Sequence, residues 1–276
     1  MPNPLVSVVI PTHNRSAFVI KAIDSVLNQT YKNIELIVVD DFSGDNTYKI
    51  ISERFKQYPK VRIFRNEKNL GFVKTLNKGS ALAKGKYIAR LDDDDTWIDS
   101  RKIEKQVDFL EKNSYYVLIG GGVVKVDLQG KEVLRYLLPE DDSQIREIIL
   151  SSNTFIHSST LFLKDAFDKA GGYKEEFGFF ADWELWLNMG KFGKMHNFPE
   201  FFVNYLDNEK NSSHDIQIRR RLAENIKMKR LYKDCYPYYK KAVFFSFLSY
   251  FYSFLPFRKL FSGSVFQFKK IFFGIK

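Results

Sequence analysis

Short apolar runs separated by helical patterns organise the first ninety residues. LVSVVI (5–10), IELIVV (34–39), VRIFRN (61–66) and KYIARL (86–91) are each too short for a helix and are bounded by polar or turn-forming residues, so they read as buried strands. Between them, residues 16–29 place apolar side chains at 19, 20, 23, 26 and 27, the spacing of one helix face. Residues 47–58 and 72–84 are read as the next two helices. Strands alternating with helices of this length predict right-handed βαβ crossovers and a parallel sheet, whose ligands sit at the carboxyl ends of the strands.

The pattern then becomes less regular. A helix is predicted over 103–113, a hairpin-like strand pair over 115–133, and a helix over 143–151. Residues 158–173 read as a strand running into a helix that stops at Gly171 and Gly172, as helices do at glycines. A short helix follows at 182–193. The polar NSSHD stretch (211–215) precedes a basic helix over 216–232, and the last forty residues are dominated by Phe, Tyr and Lys. The expected organisation is one α/β domain, 1–215, made of halves 1–100 and 101–215, followed by a basic, aromatic helical extension, 216–276.

Charge changes this picture only at the end of the chain. Lys and Arg total 43 against 33 Asp and Glu, a net +10, yet residues 227–276 hold eleven bases and one acid. The preceding 226 residues carry 32 of each sign. A neutral body with a basic end points to a local anionic partner and away from nucleic acid. The single cysteine, Cys235, excludes a disulfide framework and a thiolate metal site and suits a reducing compartment. The start of the chain has no charged segment ahead of its apolar run, so no signal peptide is expected. No segment reaches the ~20 apolar residues that span a bilayer; residues 242–257 are uncharged but include three serines and two tyrosines.

Polar clusters follow three of the strands: PTHNR (11–15), DDFSGDNT (40–47) and DDDD (92–95). In a parallel sheet these ends converge. Four adjacent carboxylates repel unless a cation sits among them, and a divalent ion is the natural candidate, a solvated acidic turn being the alternative. An EF-hand is excluded, because no Gly stands at the sixth loop position and no Glu at the twelfth.

VSVVIPTHNR, VVDDFSGDNT, NLGF…LNKGSALAKGKYIARLDDDD and GGY…ADWELW, in this order from about residue 5 to 213, resemble the family 2 glycosyltransferases of bacterial polysaccharide biosynthesis, which have the GT-A fold. The resemblance implies an inverting transfer of sugar from a nucleoside diphosphate, with UDP expected, to a hydroxyl of a glycan or lipid-linked glycan, assisted by Mn²⁺ or Mg²⁺. It implies nucleotide contacts at Pro11, Thr12, Asn14, Arg15, Asp40, Asp92 and Asp93, with Asp40 accepting from the imide N–H of uracil and Thr12 and Asn14 fixing the surrounding loop. Asp41 and Asp45 are expected to cap turns. Metal contacts are implied at Asp94 and Asp92, with His214 as a stand-in for an altered Arg/His element after Tyr205.

Asp182 holds the place of the general base, an N-cap role being its alternative; Ala181 replaces the acid that usually precedes it, and Glu184 is the fallback base. Asp95 and Asp99 are expected to face solvent or cap the next helix. His157 reads as a family histidine or a buried structural one, and Trp183 and Trp186 as core residues or an acceptor-pocket wall. In the extension, Phe244, Phe247, Phe251 and Phe254 recur at helical spacing beside basic pairs. That profile predicts peripheral attachment to the anionic cytoplasmic face of a membrane, with a homodimer interface or packing onto the catalytic domain as alternatives. Two rival functions are a sugar nucleotidyltransferase, disfavoured because PTHNR lacks glycine, and a non-catalytic sugar-nucleotide binder.

Overall fold

The computed structural model describes residues 3–207 and 218–252. The four expected strands form the parallel half of a nine-stranded mixed sheet: β1 (Val6–Thr12), β2 (Ile34–Asp40), β3 (Val61–Arg65) and β4 (Tyr87–Arg90), in the order β3-β2-β1-β4. β1 and β2 are buried at every position, which is why they read as continuous apolar runs and not as alternation. Val8 and Ile10 enter one core with α1 (Val19–Leu27), α2 (Thr47–Arg54) and α4 (Lys102–Lys112). Val9 enters the other with α3 (Phe72–Ala81). α1 starts at the first residue of its apolar spacing, three residues after the expected start at Ser16, because the Arg15 carbonyl takes the N–H groups of both Phe18 and Val19 in a preceding turn.

The second half of the sheet departs from the parallel expectation. β8 (Leu161–Leu163) inserts antiparallel between β4 and β6 (Tyr116–Val126), and β6 pairs antiparallel with β7 (Glu132–Tyr136), giving the expected hairpin with its turn at 127–131. A thirteen-residue strand unforeseen in the sequence, β9 (Lys194–Leu206), lies parallel to β6 and carries the two-residue β5 (Thr96–Trp97) at the edge. Register jumps between Gly121↔Phe198 and Gly122↔Phe201, so Pro199 sits in a bulge, where a residue without an N–H is tolerated. The glycines of β6 admit this close pairing: a Cβ on Gly121 would lie 2.4 Å from the Phe202 ring.

On the Val9 face, α5 (Asp142–Ile148), α6 (Lys164–Ala170) and α7 (Ala181–Met189) complete the cover. α6 ends at Gly171 in the left-handed conformation, as its sequence predicts. α8 (Ile218–Leu231) and α9 (Tyr239–Tyr252) follow. Met228, Tyr232, Tyr236 and Ala242 belong to the same core as α7, so the first part of the expected extension is packed onto the catalytic body.

Candidate active site

Three polar loops meet at the carboxyl ends of β1, β2 and β4, as their positions in the sequence imply. Asn14, in a left-handed conformation, accepts from the Gly44 N–H at 2.8 Å and donates its own N–H to Ser43, locking the loop after β1 to the loop after β2. Thr12 meets the acidic loop, its buried hydroxyl facing the carboxyl of Asp93 and favouring its charged form. Pro11 is buried in β1, opposite Val39.

Asp40 closes β2 and is sealed from solvent. Its Oδ2 accepts from the Ser43 N–H and pairs with Arg65 at 3.3 Å, whereas Oδ1 is a buried acceptor without a partner. The Arg65 guanidinium lies against the rings of Phe42 and Tyr48 and roofs this carboxylate. Asp41 has a structural duty, as expected, although on a different loop: it accepts from the N–H groups of Leu70 and Gly71 and from Asn66. Asp45 caps Thr47.

The tetra-aspartate is not a solvated turn. Arg90, fully buried at the end of β4 and absent from the sequence expectations, donates to the carbonyls of Val9 and Leu91 and to the carboxylate of Asp92. Burial works against ionisation of Asp92, but Arg90 and the Ser158 hydroxyl outweigh it and hold that carboxyl below the ordinary range. Burial, then the neighbouring Asp94, pushes Asp93 up to about 7; burial, then Asp92, pushes Asp94 up to about 6. Arg15 approaches Asp94 at 3.7 Å and is therefore part of the cluster.

Asp95 corrects an expectation. It does not face solvent but is buried, accepting from the Ser158 hydroxyl and the Leu206 N–H, and so ties the acidic loop to the 157–159 turn and to the end of β9. Asp99 does act as a cap, accepting from the Arg101 N–H and from Lys105 at the start of α4. Ser158 joins Asp92, Asp95 and, through its carbonyl, the Trp97 indole. One serine among the four of SSNTFIHSST carries no local signal of that role.

Asp182 lies in the first turn of α7, two residues after the N-cap Phe180, so it is not the cap. Its half-buried carboxylate accepts from Asn153 at 2.9 Å, and burial, with Asp92 adding to the rise, lifts it to about 6. Glu184 is excluded as fallback base: it is wholly buried on another side of α7, held by Lys174 and the Tyr232 hydroxyl. His157 is structural. Burial, then Arg90, depresses it to about 3, so it is neutral, and it shares a hydrogen bond with the Tyr173 hydroxyl at 2.9 Å. Asn77 of α3 grips both the N–H and the carbonyl of Tyr173, joining the LNKG and GGY segments. Trp183 and Trp186 are core residues.

Among the described residues no three His, Cys, Asp or Glu side chains are grouped to hold a metal ion alone. His214 and Asn208 lie outside the described residues. The oxygen-only donors at Asp92, Asp93 and Asp94, two of them driven towards protonation by burial and mutual repulsion, fit a hard divalent ion in type.

Residues 7–171 match the family model of glycosyl transferase family 2, and the chain belongs to that family. The amylovoran biosynthesis glycosyltransferase AmsE of Erwinia amylovora is 30% identical over 66% of this chain and 68% of its own length. The chain spans about two thirds or less of the length of the curated relatives it matches. The fold is GT-A: residues 1–349 of Staphylococcus aureus TarS in complex with UDP-GlcNAc superpose with a TM-score of 0.70 at 16% identity, covering 91% of this chain and 73% of that one. The Pyrobaculum calidifontis mannosyltransferase PcManGT, in complex with GDP-Man and Mn²⁺, superposes with a TM-score of 0.62 at 16% identity over 82% and 63%.

Proposed function

We propose that this protein is an inverting glycosyltransferase that moves a hexosyl or N-acetylhexosaminyl group from a nucleoside diphosphate, a UDP-sugar in the first instance, to a hydroxyl of a glycan or lipid-linked glycan in bacterial polysaccharide biosynthesis. The observation that carries the reading is Asp182. It is an ionisable, half-buried carboxylate oriented by Asn153, within electrostatic reach of Asp92 in the acidic cluster.

Base and phosphates bind at the ends of β1, β2 and β4. The loop locked by Asn14 shapes the nucleotide site, and Asp40 Oδ1 is the unpaired acceptor for an imide N–H once the Arg65 roof shifts. Arg15, already beside Asp94, supplies a cation to the diphosphate. Asp94 and Asp92, with Asp93 beside them, would hold Mn²⁺ or Mg²⁺ together with the donor's own oxygens, and the ion would neutralise charge on the departing diphosphate. Asp182 takes the proton from the acceptor hydroxyl as its oxygen attacks the anomeric carbon opposite the leaving group, so a single displacement inverts that centre. A carboxyl raised to about 6 is a stronger base than an ordinary aspartate and is still ionised at neutral pH.

The test is Asp182→Asn assayed with UDP-GlcNAc and Mn²⁺ for donor binding and for slow hydrolysis. Retained binding with lost hydrolysis supports the reading. Hydrolysis unchanged from the parent removes Asp182 as base, and absence of hydrolysis in the parent with every UDP-, GDP- and dTDP-sugar tried favours the non-catalytic binder.

A further inference from the structure

Helix α9 is built inside out for a helix of a globular body. Its inward face carries small and polar groups: Ala242 and Ser246 are buried, and Ser246 accepts from Lys229 of α8 at 2.7 Å and donates to Asn225 at 2.7 Å. Tyr239 packs against the core and Phe245 and Tyr250 are half-buried, but four large apolar side chains point the other way. Phe244, Phe247, Leu248 and Phe251 are 59%, 42%, 42% and 64% exposed, and their i, i+3, i+4, i+7 spacing puts them on one stripe. Lys240 and Lys241, both exposed, lie one turn earlier on the same side. An apolar stripe of this kind on a folded surface marks an interaction site.

We propose that this stripe docks on an anionic lipid bilayer surface, the phenylalanines entering the headgroup boundary and the lysines pairing with lipid charge. Charge selects this occupant. Residues 227–276 carry eleven bases and one acid, and the 24 residues after Tyr252 add seven phenylalanines and five bases without an acid. A second copy of the chain would bring the same cations face to face and be repelled. Among the described residues no helix is long and apolar enough to cross a membrane, so attachment is at the interface.

The attachment also orients the active site. α8, to which α9 is stapled, and the turn that follows it grip the back of α7: Lys229 of α8 lies 5.3 Å from the centre of the Trp183 ring, and from the turn the Tyr232 hydroxyl donates to Glu184 and the Tyr236 hydroxyl donates to the Leu187 carbonyl at 2.7 Å. A bilayer-bound α9 thus fixes how Asp182 of α7 faces the lipid surface, which suits an acceptor presented there. Docking itself does not rest on glycosyl transfer, because it is read without donor or metal.

The experiment is co-sedimentation of the full chain with vesicles of phosphatidylcholine alone and with a minor share of phosphatidylglycerol, at low and high salt. Binding to the anionic vesicles is expected, weakened but not abolished by salt, since charge is screened and apolar insertion is not. Lys240→Gln with Lys241→Gln should weaken it about 25-fold, roughly fivefold per lysine. Phe244→Ser with Phe247→Ser and Phe251→Ser should remove the salt-resistant part while leaving thermal melting and Mn²⁺-dependent UDP binding unchanged; Phe247→Ser alone, at the least exposed of the three, serves if the triple variant does not fold. Failure of the parent to bind anionic vesicles overturns the proposal. So does a dimer, seen by light scattering, that the Phe→Ser change converts to monomer without altering vesicle binding, because the stripe is then covered by a second copy.

Discussion

Replacing Asp182 by Asn separates stability from activity in a way that follows from its surroundings. Burial raises the carboxyl from an ordinary 3.8 to about 6, so ionising it in the folded protein carries a penalty of at most about 3 kcal/mol at pH 8. Partial access to water reduces this to ~1–3 kcal/mol. The sign is that of an acid with a raised folded value. The folded state binds the extra proton between about pH 4 and 6, so stability falls as pH rises through that window and the full penalty persists above it. Asparagine keeps the acceptor for Asn153 and removes the charge. Its melting temperature at pH 8 should therefore rise by roughly 2–10 °C for a chain of this size, and the gain should vanish towards pH 4. Transfer and donor hydrolysis should fall ~10²–10⁴-fold, the usual contribution of a positioned base, with UDP binding unchanged. Scanning fluorimetry at both pH values and a coupled UDP-release assay read the two effects on one sample. A variant that is no more stable at pH 8, or equally more stable at pH 4, would refute the electrostatic account; a variant that retains turnover would refute the base.

Other outcomes follow from the same site and sheet. Asp94→Asn should abolish Mn²⁺-dependent UDP binding measured by calorimetry while leaving the fold intact, because an amide is a neutral, weaker ligand and the cluster loses a repelling charge. In the parent, the rate of transfer should rise with pH through about 6 as Asp182 ionises, a limb that Asp182→Asn lacks in a pH–rate profile. Arg90→Met should lower stability by about 3–5 kcal/mol in chemical denaturation, because the Asp92 carboxylate is left without its buried partner. Gly121→Ala should cost ~1–3 kcal/mol in the same measurement, since its methyl meets the Phe202 ring at 2.4 Å and β6 and β9 must separate to admit it.

What the sequence determined by itself is the nucleotide-binding half and the place of its chemistry. β1, β2 and β4 are buried on both faces, so their apolar runs are continuous and stand out, and crossover helices fix a parallel order with three polar loops at one edge. The sequence therefore places Asn14, Asp92 and Asp94 together at that edge, whereas Asp182, in the first turn of α7, was singled out only by the family resemblance. The tertiary structure alone decided what depends on partners distant in the chain. β9 escapes a local reading because Pro199 interrupts its pattern, and only the bulge against Gly121 and Gly122 makes it a strand. Asp95 is a buried strut and not a surface carboxylate because Ser158 and Leu206, 63 and 111 residues away, supply its donors. Glu184 resembles Asp182 in type and lies two residues on, but about 200° of helical rotation turns it towards Lys174 and Tyr232 and away from the site. In the same way the spacing of Phe244, Phe247 and Phe251 foretold a stripe, Phe254 lying outside the described residues, whereas its direction was set by where α8 offers Lys229 and Asn225 to Ser246, since a buried polar group must find its partner.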